Sequence, residues 1–336
     1  MGARMKDIAQ DLGVSLMTVS KALRSHSDIS EETRNRVLKR ARELDYRPNW
    51  IARSLVTRRT YMVGLVIPDL MHSFFAEIAK GVSKSFEPLG YQIVIANSEE
   101  NTDSEVRQIE LLLDRNVDGV IVASTNPSVR GESIRILSTR GTPYVLIDRM
   151  PASYQGNYVG VRDEEIGALA TEHLIEQGCR RIAHLRGPAI PPGSGRFKGY
   201  RRALTKHGLE ANPDYVVNGQ YQDDSGYQGM RNLLALPERP DGVVAYNDPV
   251  AAGAIKAILE AGLDVPRDIA VIGAGNVHYS DLLRVPLSTI DQSSYAIGET
   301  AAGMLAQCID SKKPVAPRQV VLAPRLIVRE STRRKV

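Results

Sequence analysis

From residue 62 onward the chain keeps returning to runs of four or five mostly apolar residues, each followed by a segment of helical length, and this rhythm is the strongest constraint on its fold. The runs lie at 63–67, 92–96, 119–123 and 144–147, and again at 181–185, 242–245 and 269–272. Such runs are apolar on both faces, which a strand can satisfy only where helices cover both sides of a parallel sheet. Helix-length stretches at 166–176, 197–207, 225–236 and 250–261 separate the later runs. Two tandem α/β units with doubly wound parallel sheets are therefore expected. A chain of 336 residues also exceeds what one core usually organises.

The first fifty residues have a different texture. Ile8 and Leu12, then Val19, Ala22 and Leu23, then Val37, Ala41 and Leu44 recur at helical spacing, which predicts three short helices. Between the first two stands Gly13-Val14-Ser15. Gly13 can take the positive φ of a helix C-cap, Val14 can plug a small core, and Ser15 can cap the next helix. This is the signature of a helix-turn-helix. Ser30 is the expected N-cap of the third helix, which should end near 45–48, where Pro48 forces its predecessor out of the helical region.

Charge separates the two parts as well. Residues 1–60 hold thirteen Lys and Arg against seven Asp and Glu, a net +6, so the remainder carries −2 of the overall +4. A basic segment on a near-neutral body suits a polyanion, because each neutralised phosphate releases condensed counterions; a solvated charged face is the plainer alternative. On the second helix, Leu16, Met17 and Lys21 face away from Val19 and Ala22. In a helix-turn-helix that end enters the major groove, where Leu16 and Met17 can meet thymine methyls and Lys21 can donate to guanine. Thr18 and Ser20 are the right size for phosphate oxygens, and Ser15, Arg24 and Thr33 complete the expected DNA-facing set.

Met5-Lys6-Asp7-Ile8-Ala9, Gly13-Val14-Ser15, Thr18-Val19-Ser20-Lys21-Ala22-Leu23, Tyr46-Arg47-Pro48-Asn49 and Ile51-Ala52-Arg53-Ser54-Leu55 together resemble the headpiece and hinge of the LacI/GalR family of transcription regulators. The resemblance implies that 49–57 forms a hinge helix on the operator, with Asn49 and Ala52 at the DNA and Leu55 wedged into the minor groove. Such a wedge unstacks a base step and bends the duplex. The likeness continues through Val63-Gly64-Leu65-Val66-Ile67-Pro68-Asp69, Val145-Leu146-Ile147-Asp148-Arg149, Arg196, Asn247-Asp248 and Pro286-Leu287-Ser288-Thr289-Ile290. It implies a headpiece over 1–47, a hinge over 48–60, and a periplasmic-binding-protein-like core over 61–336. Within that core, 61–160 with 289–321 would form one subdomain, and 161–288 with 322–336 the other.

Carried over position by position, the resemblance draws an effector site from Phe74, Phe75, Asp148, Arg149, Arg196, Asn247, Asp248 and Asn276. Such a set suits a hydroxylated ligand, a sugar rather than a nucleobase: carboxylates accept from vicinal hydroxyls, a guanidinium donates as a fork, and an aromatic ring stacks. Asp248 equally suits a helix N-cap, and Arg149 a surface ion pair. Where many relatives carry a carboxylate, this chain has Gly275, in Ala274-Gly275-Asn276. That departure suggests either a bulkier ligand, such as a disaccharide, or a weaker response. A repressor acting as a homodimer on a pseudo-palindromic operator is the implied output, with no C-terminal heptad for a tetramer.

Rival classes find less support. Gly193-Ser194-Gly195 with Gly199 misses the dinucleotide-loop spacing, and no Walker loop, H-E-x-x-H or nucleophile elbow occurs. The six histidines are scattered, and Cys179 and Cys308 make no metal or disulfide pattern. Neither an enzyme, a metal site nor a cofactor is expected. A transported-solute receptor would open on a signal peptide, whereas this sequence opens on a helix-turn-helix; with no apolar run of membrane-spanning length, a cytoplasmic protein is expected.

Overall fold

The computed structural model describes residues 3–23, 28–46, 54, 57, 59–125, 128, 130–311 and 313–334. The chain divides into two units, 1–60 and 61–336. The first contains α1 (Met5–Leu12), α2 (Leu16–Leu23) and α3 (Glu31–Glu43). Gly13, at φ 64°, ends α1 with its N–H returning to the carbonyls of Ala9 and Gln10. The Ser15 hydroxyl accepts the Thr18 N–H at 3.0 Å, and Ser30 accepts that of Thr33 at 3.3 Å, so both following helices begin on the expected caps. Ile8, Ala9, Val19, Ala22, Val37 and Ala41 bury a single small core, with Val14 and Tyr46 packed at its margin.

The second unit holds two six-stranded sheets. The first contains β1 (Met62–Ile67), β2 (Gln92–Asn97), β3 (Gly119–Val122), β4 (Tyr144–Ile147), β5 (Tyr158–Val161) and, from late in the chain, β11 (Gln319–Leu322), ordered β11-β5-β4-β3-β1-β2. The second contains β6 (Ile182–Arg186), β7 (Val216–Asn218), β8 (Gly242–Ala245), β9 (Ala270–Gly275), β10 (Ser288–Asp291) and β12 (Arg325–Ile327), ordered β12-β10-β9-β8-β6-β7. Every pair is parallel except β10 with β12. The central strands are buried throughout, apart from the half-buried Met62 that opens β1, as their two-sided apolar sequences require.

Helices cover both faces of each sheet. On the first, α4 (Ser73–Phe86) and α11 (Ser294–Asp310) take one face, and α5 (Thr102–Asp114) and α6 (Glu132–Arg140) the other. On the second, α7 (Asp163–Glu176) and α8 (Pro191–Lys206) oppose α9 (Asp223–Leu234) and α10 (Asp248–Glu260). The chain crosses between lobes after β5, after β10 and after β11. The expected return to the first lobe at 289 is thus too early: β10 pairs with β9, and only α11 and β11 go back. Strand order reverses between β1 and β3 in one lobe and between β6 and β8 in the other. Open α/β sheets bind ligands in the crevice beyond the strand C-termini at such points.

Gly167 and Gly199 let α7 and α8 approach at backbone distance. A Cβ on Gly199 would lie 2.0 Å from the Glu164 carbonyl oxygen, and one on Gly167 1.9 Å from that of Arg196. Overpacking of this kind costs about 1–3 kcal/mol. Gly199→Ala should therefore lower the urea unfolding midpoint. Gly303→Ala, at an exposed position of α11 where an added Cβ meets nothing within 4 Å, should hold or raise it. Equal midpoints for the two variants would show that this contact does not set the helix spacing.

Candidate functional site

Two separate surfaces collect the expected functional residues. On α2, Val19 and Ala22 are buried while Leu16 and Met17 stand 50% and 63% exposed, two large apolar side chains offered to solvent by a helix of eight residues. Lys21 pairs with Asp28 at 2.5 Å, so its ammonium reaches a base only by leaving that carboxylate. The Thr18 and Ser15 hydroxyls share a 2.8 Å hydrogen bond, and Thr33 stands at the start of α3 beside the Ser30 hydroxyl. Ser20 lies half-buried on the same helix. Arg24, Asn49, Ala52 and Leu55 lie outside the described residues.

In the larger unit a cavity of about 30 Å³ opens between the lobes, beyond the strand C-termini. Phe74 and Phe75 come to it from the first turn of α4, Asp148 and Arg149 from the end of β4, Arg196 from α8 and Asn247 from the end of β8. Asp69, His72, Glu100, Tyr221, Tyr246 and Gln292 complete the lining, and none of these was expected. The signal available for several of them was position: Asp69, Glu100, Tyr246 and Gln292 each follow a strand by one to three residues.

Arg196 is buried, and its guanidinium is shared among three partners. Nε donates to Asp163 at 3.1 Å, Nη1 to the Tyr246 carbonyl at 2.6 Å and Nη2 to the Gln292 side-chain oxygen at 3.0 Å, while the Tyr246 ring lies 4.7 Å below. Burial, only partly offset by Arg196, pushes the Asp163 carboxyl up to about 6. Arg149 is not the surface residue that its sequence allowed. It is 5% exposed, with Nη1 and Nη2 donating to the two oxygens of Glu100 at 2.7 and 2.5 Å. Asp148 sits at φ 61°, a conformation that disfavours side chains, and burial raises its pKa against the pull of Arg149 and Arg196.

Two expected ligand residues are turned elsewhere. Asp248 is fully buried, with its carboxylate accepting from the Val277 N–H at 3.0 Å, the Ser280 hydroxyl at 2.7 Å and the Thr289 hydroxyl at 2.5 Å. It ties the loop after β9 to β10, and the helix N-cap role falls to Asn247, whose Oδ1 accepts the Val250 N–H at 3.0 Å. Asn276, at φ 50°, points its side-chain oxygen to Arg329 at 2.8 Å and does not line the cavity.

Known proteins share this arrangement. Residues 4–49 match the family described as bacterial regulatory proteins, lacI family, and residues 171–332 match a periplasmic binding protein-like domain. Catabolite control protein A of Priestia megaterium is 33% identical over 335 residues, covering 99% of this chain and 100% of that protein. A solved lac repressor dimer bound to operator and the anti-inducer ONPF superposes with a TM-score of 0.86 at 26% identity, over 99% of both chains. The transcriptional regulator CelR in complex with cellobiose does so at 0.74 and 31% identity, over 98% of this chain and 99% of that one.

One contact in the cavity joins the lobes directly. His72 Nε2 lies 3.1 Å from Asn247 Nδ2, and His72 Nδ1 lies 3.3 Å from the Phe74 N–H. The Asn247 amide cannot turn round, because its oxygen holds Val250 and its nitrogen donates to the Tyr221 carbonyl at 2.8 Å. Two donors thus face one imidazole, which has a single lone pair when neutral and none when charged. The cation is excluded by geometry as well as by burial, which pushes the pKa down to about 4 with Arg196 and Arg149 adding to the shift. The unfolded chain takes up this proton near 6.5, the folded chain only near 4, so stability present above pH 6.5 is lost as pH falls through about 4. Urea unfolding between pH 7.5 and 4 should show the unsubstituted chain losing more stability than His72→Gln; parallel profiles would place the acid sensitivity elsewhere.

Proposed function

Because the chain belongs to the lacI family of bacterial regulatory proteins, we propose that it is a transcriptional repressor that reads an operator through α2 and responds to a small neutral hydroxylated ligand held between the lobes. The observation that carries the first half is the exposed Leu16–Met17 pair beside Lys21 on the second helix of a basic helix-turn-helix. Apolar side chains at that position match thymine methyls, and the surrounding cations match phosphate. The protein acts as a homodimer, so that two headpieces meet the half-sites of a pseudo-palindromic operator, the assembly named for the lac repressor structure. Operator binding in turn requires a cytoplasmic location. The named relatives are regulators, which supports reading the cavity as a sensor rather than a catalytic centre.

The second half rests on the chemistry of the lining. Asp148 accepts ligand hydroxyl protons, Asn247 and Arg196 donate, and Phe74 or Phe75 offers a face for stacking. A sugar ring is far larger than the present cavity, so its entry separates the lobes and releases the His72–Asn247 contact. A ligand shifts the lobe equilibrium only by its difference in affinity for the two arrangements. That difference is transmitted through 49–57, which folds on DNA with Leu55 as the minor-groove wedge.

Selection of bound sequences from a random duplex pool tests the operator reading, with a pseudo-palindrome expected and an unenriched pool counting against it. On the selected duplex, Met17→Ala and Leu55→Ala should each weaken binding by about tenfold or more while leaving non-specific DNA affinity unchanged, in line with roughly 1–3 kcal/mol per base contact. Equal losses on both DNAs would mean that these residues bind backbone rather than sequence. For the sensor, thermal unfolding with ribose, cellobiose and related neutral sugars should reveal stabilisation of about 2.7 kcal/mol at a hundredfold excess over Kd. Asp148→Asn should abolish it, and a response untouched by that variant would move the ligand away from this cavity.

A further inference from the structure

We propose that Glu100 is a built-in anion that occupies the Arg149 fork and makes the cavity selective against acidic ligands. The inference deepens the sensor reading above and rests on it for the biological meaning of the cavity, although not for its chemistry.

Arg149 presents the end of its guanidinium to Glu100 in a two-point match, Nη1 to Oε2 at 2.7 Å and Nη2 to Oε1 at 2.5 Å. This is the geometry with which arginine takes a carboxylate or phosphate from a bound molecule. Of its other N–H groups, the buried Nε makes no hydrogen bond and lies 3.6 Å from Asp148 Oδ2, close enough for charge attraction only. The other buried cation of the cavity is likewise neutralised from within the chain: Arg196 Nε donates to Asp163, while one hydrogen each of Nη1 and Nη2 goes to the Tyr246 carbonyl and Gln292. A ligand phosphate or carboxylate entering here would meet Asp69, Glu100 and Asp148, with both lining guanidiniums already matched to carboxylates of the chain itself.

The way Glu100 is delivered supports a purpose beyond packing. Glu99 and Glu100 both take positive φ, 52° and 54°, although neither is glycine, and the Glu100 N–H is pinned to the Pro68 carbonyl at 3.1 Å. Two consecutive residues in this region store strain that the surroundings must overcome. The result is a reversal directly after β2 that returns the carboxylate over the cavity. The pair is also asymmetric: the Arg149 side chain is 6% exposed and that of Glu100 22%. The anion therefore comes from the rim, while the cation belongs to the wall. Removing Glu100 would uncover a buried guanidinium within an existing cavity, which is what an anion site requires.

The test uses the full-length chain and sulfate as the probe, with sodium chloride at equal ionic strength as reference, read by thermal unfolding and by calorimetric titration. The unsubstituted chain should show no saturable sulfate binding that Arg149→Met removes. Glu100→Ala should gain such binding, at least tenfold tighter than in the unsubstituted chain, and Glu100→Ala with Arg149→Met should lose it again. Glu100→Gln preserves shape and provides the same reading if the alanine variant folds poorly. Ribose 5-phosphate should follow sulfate in every variant. Sulfate binding to the unsubstituted chain that depends on Arg149, or folded Glu100→Ala and Glu100→Gln proteins that both gain nothing, would overturn the proposal. No operator or neutral sugar enters these measurements, so a failed sensor or repressor reading leaves their outcome intact, and the reverse holds as well.

Discussion

The buried guanidinium of Arg196 is the contact on which the two-lobed arrangement turns. Its partners are Asp163, directly after the first crossing, Gln292, within the second, and the Tyr246 carbonyl at the end of β8. One side chain thus fixes two of the three strands of chain that join the lobes and positions the lip of the cavity at the same time. Desolvating such a charge is expensive, and only a nearly complete set of partners makes it tolerable. Removing one side of such a pair typically costs about 3–5 kcal/mol, because the other charge stays buried. Arg196 is therefore a poor position at which to separate ligand contact from architecture. Asp148, which lines the same cavity from the other lobe and holds no crossing strand, separates them better.

The close approach of α7 and α8 serves the same end. Gly167 faces the Arg196 carbonyl and Gly199 faces that of Glu164, so α8 is held at backbone distance from the helix that opens with Asp163. Glycines usually destabilise helices through backbone entropy. Here they bring the guanidinium and its carboxylate to 3.1 Å with little room for solvent. The spacing Asp163, Gly167 on one helix and Arg196, Gly199 on the other is one device.

Much of this was legible in the sequence, for reasons that differ by element. The buried strands stood out because apolar side chains on both faces leave no amphipathic ambiguity. The caps at Gly13, Ser15 and Ser30 were readable because each is a local event between neighbouring residues. The division between lobes was less so: 288–291 reads like any other strand, and its pairing with β9 is a long-range choice. In the cavity, Phe74, Phe75, Asp148, Arg149, Arg196 and Asn247 came together from motif positions, whereas Glu100 and His72 did not announce themselves. Glu100 arrives through two positive-φ residues with no glycine to mark the turn. His72 looked like one of several scattered histidines until its two donors were seen.

Gly275 shows how a buried carboxylate shapes the backbone around it. The residue sits at φ 138°, where a side chain is strained, and a Cβ there would lie 3.5 Å from the Asp248 carboxylate. At Gly273 an added Cβ would fall 2.4 Å from the same group. The floor beneath β9 is thus shaped around Asp248, which spends itself on Val277, Ser280 and Thr289 instead of on a ligand. An aspartate at 275 would combine backbone strain with a second carboxylate beside one that burial already drives toward its neutral form. The carboxylates that do reach the cavity come from the opposite lobe, Asp148 after β4 and Glu100 after β2. The second lobe thus meets the cavity with an amide and a paired guanidinium, Asn247 and Arg196, and the first with carboxylates, so the two walls differ in charge.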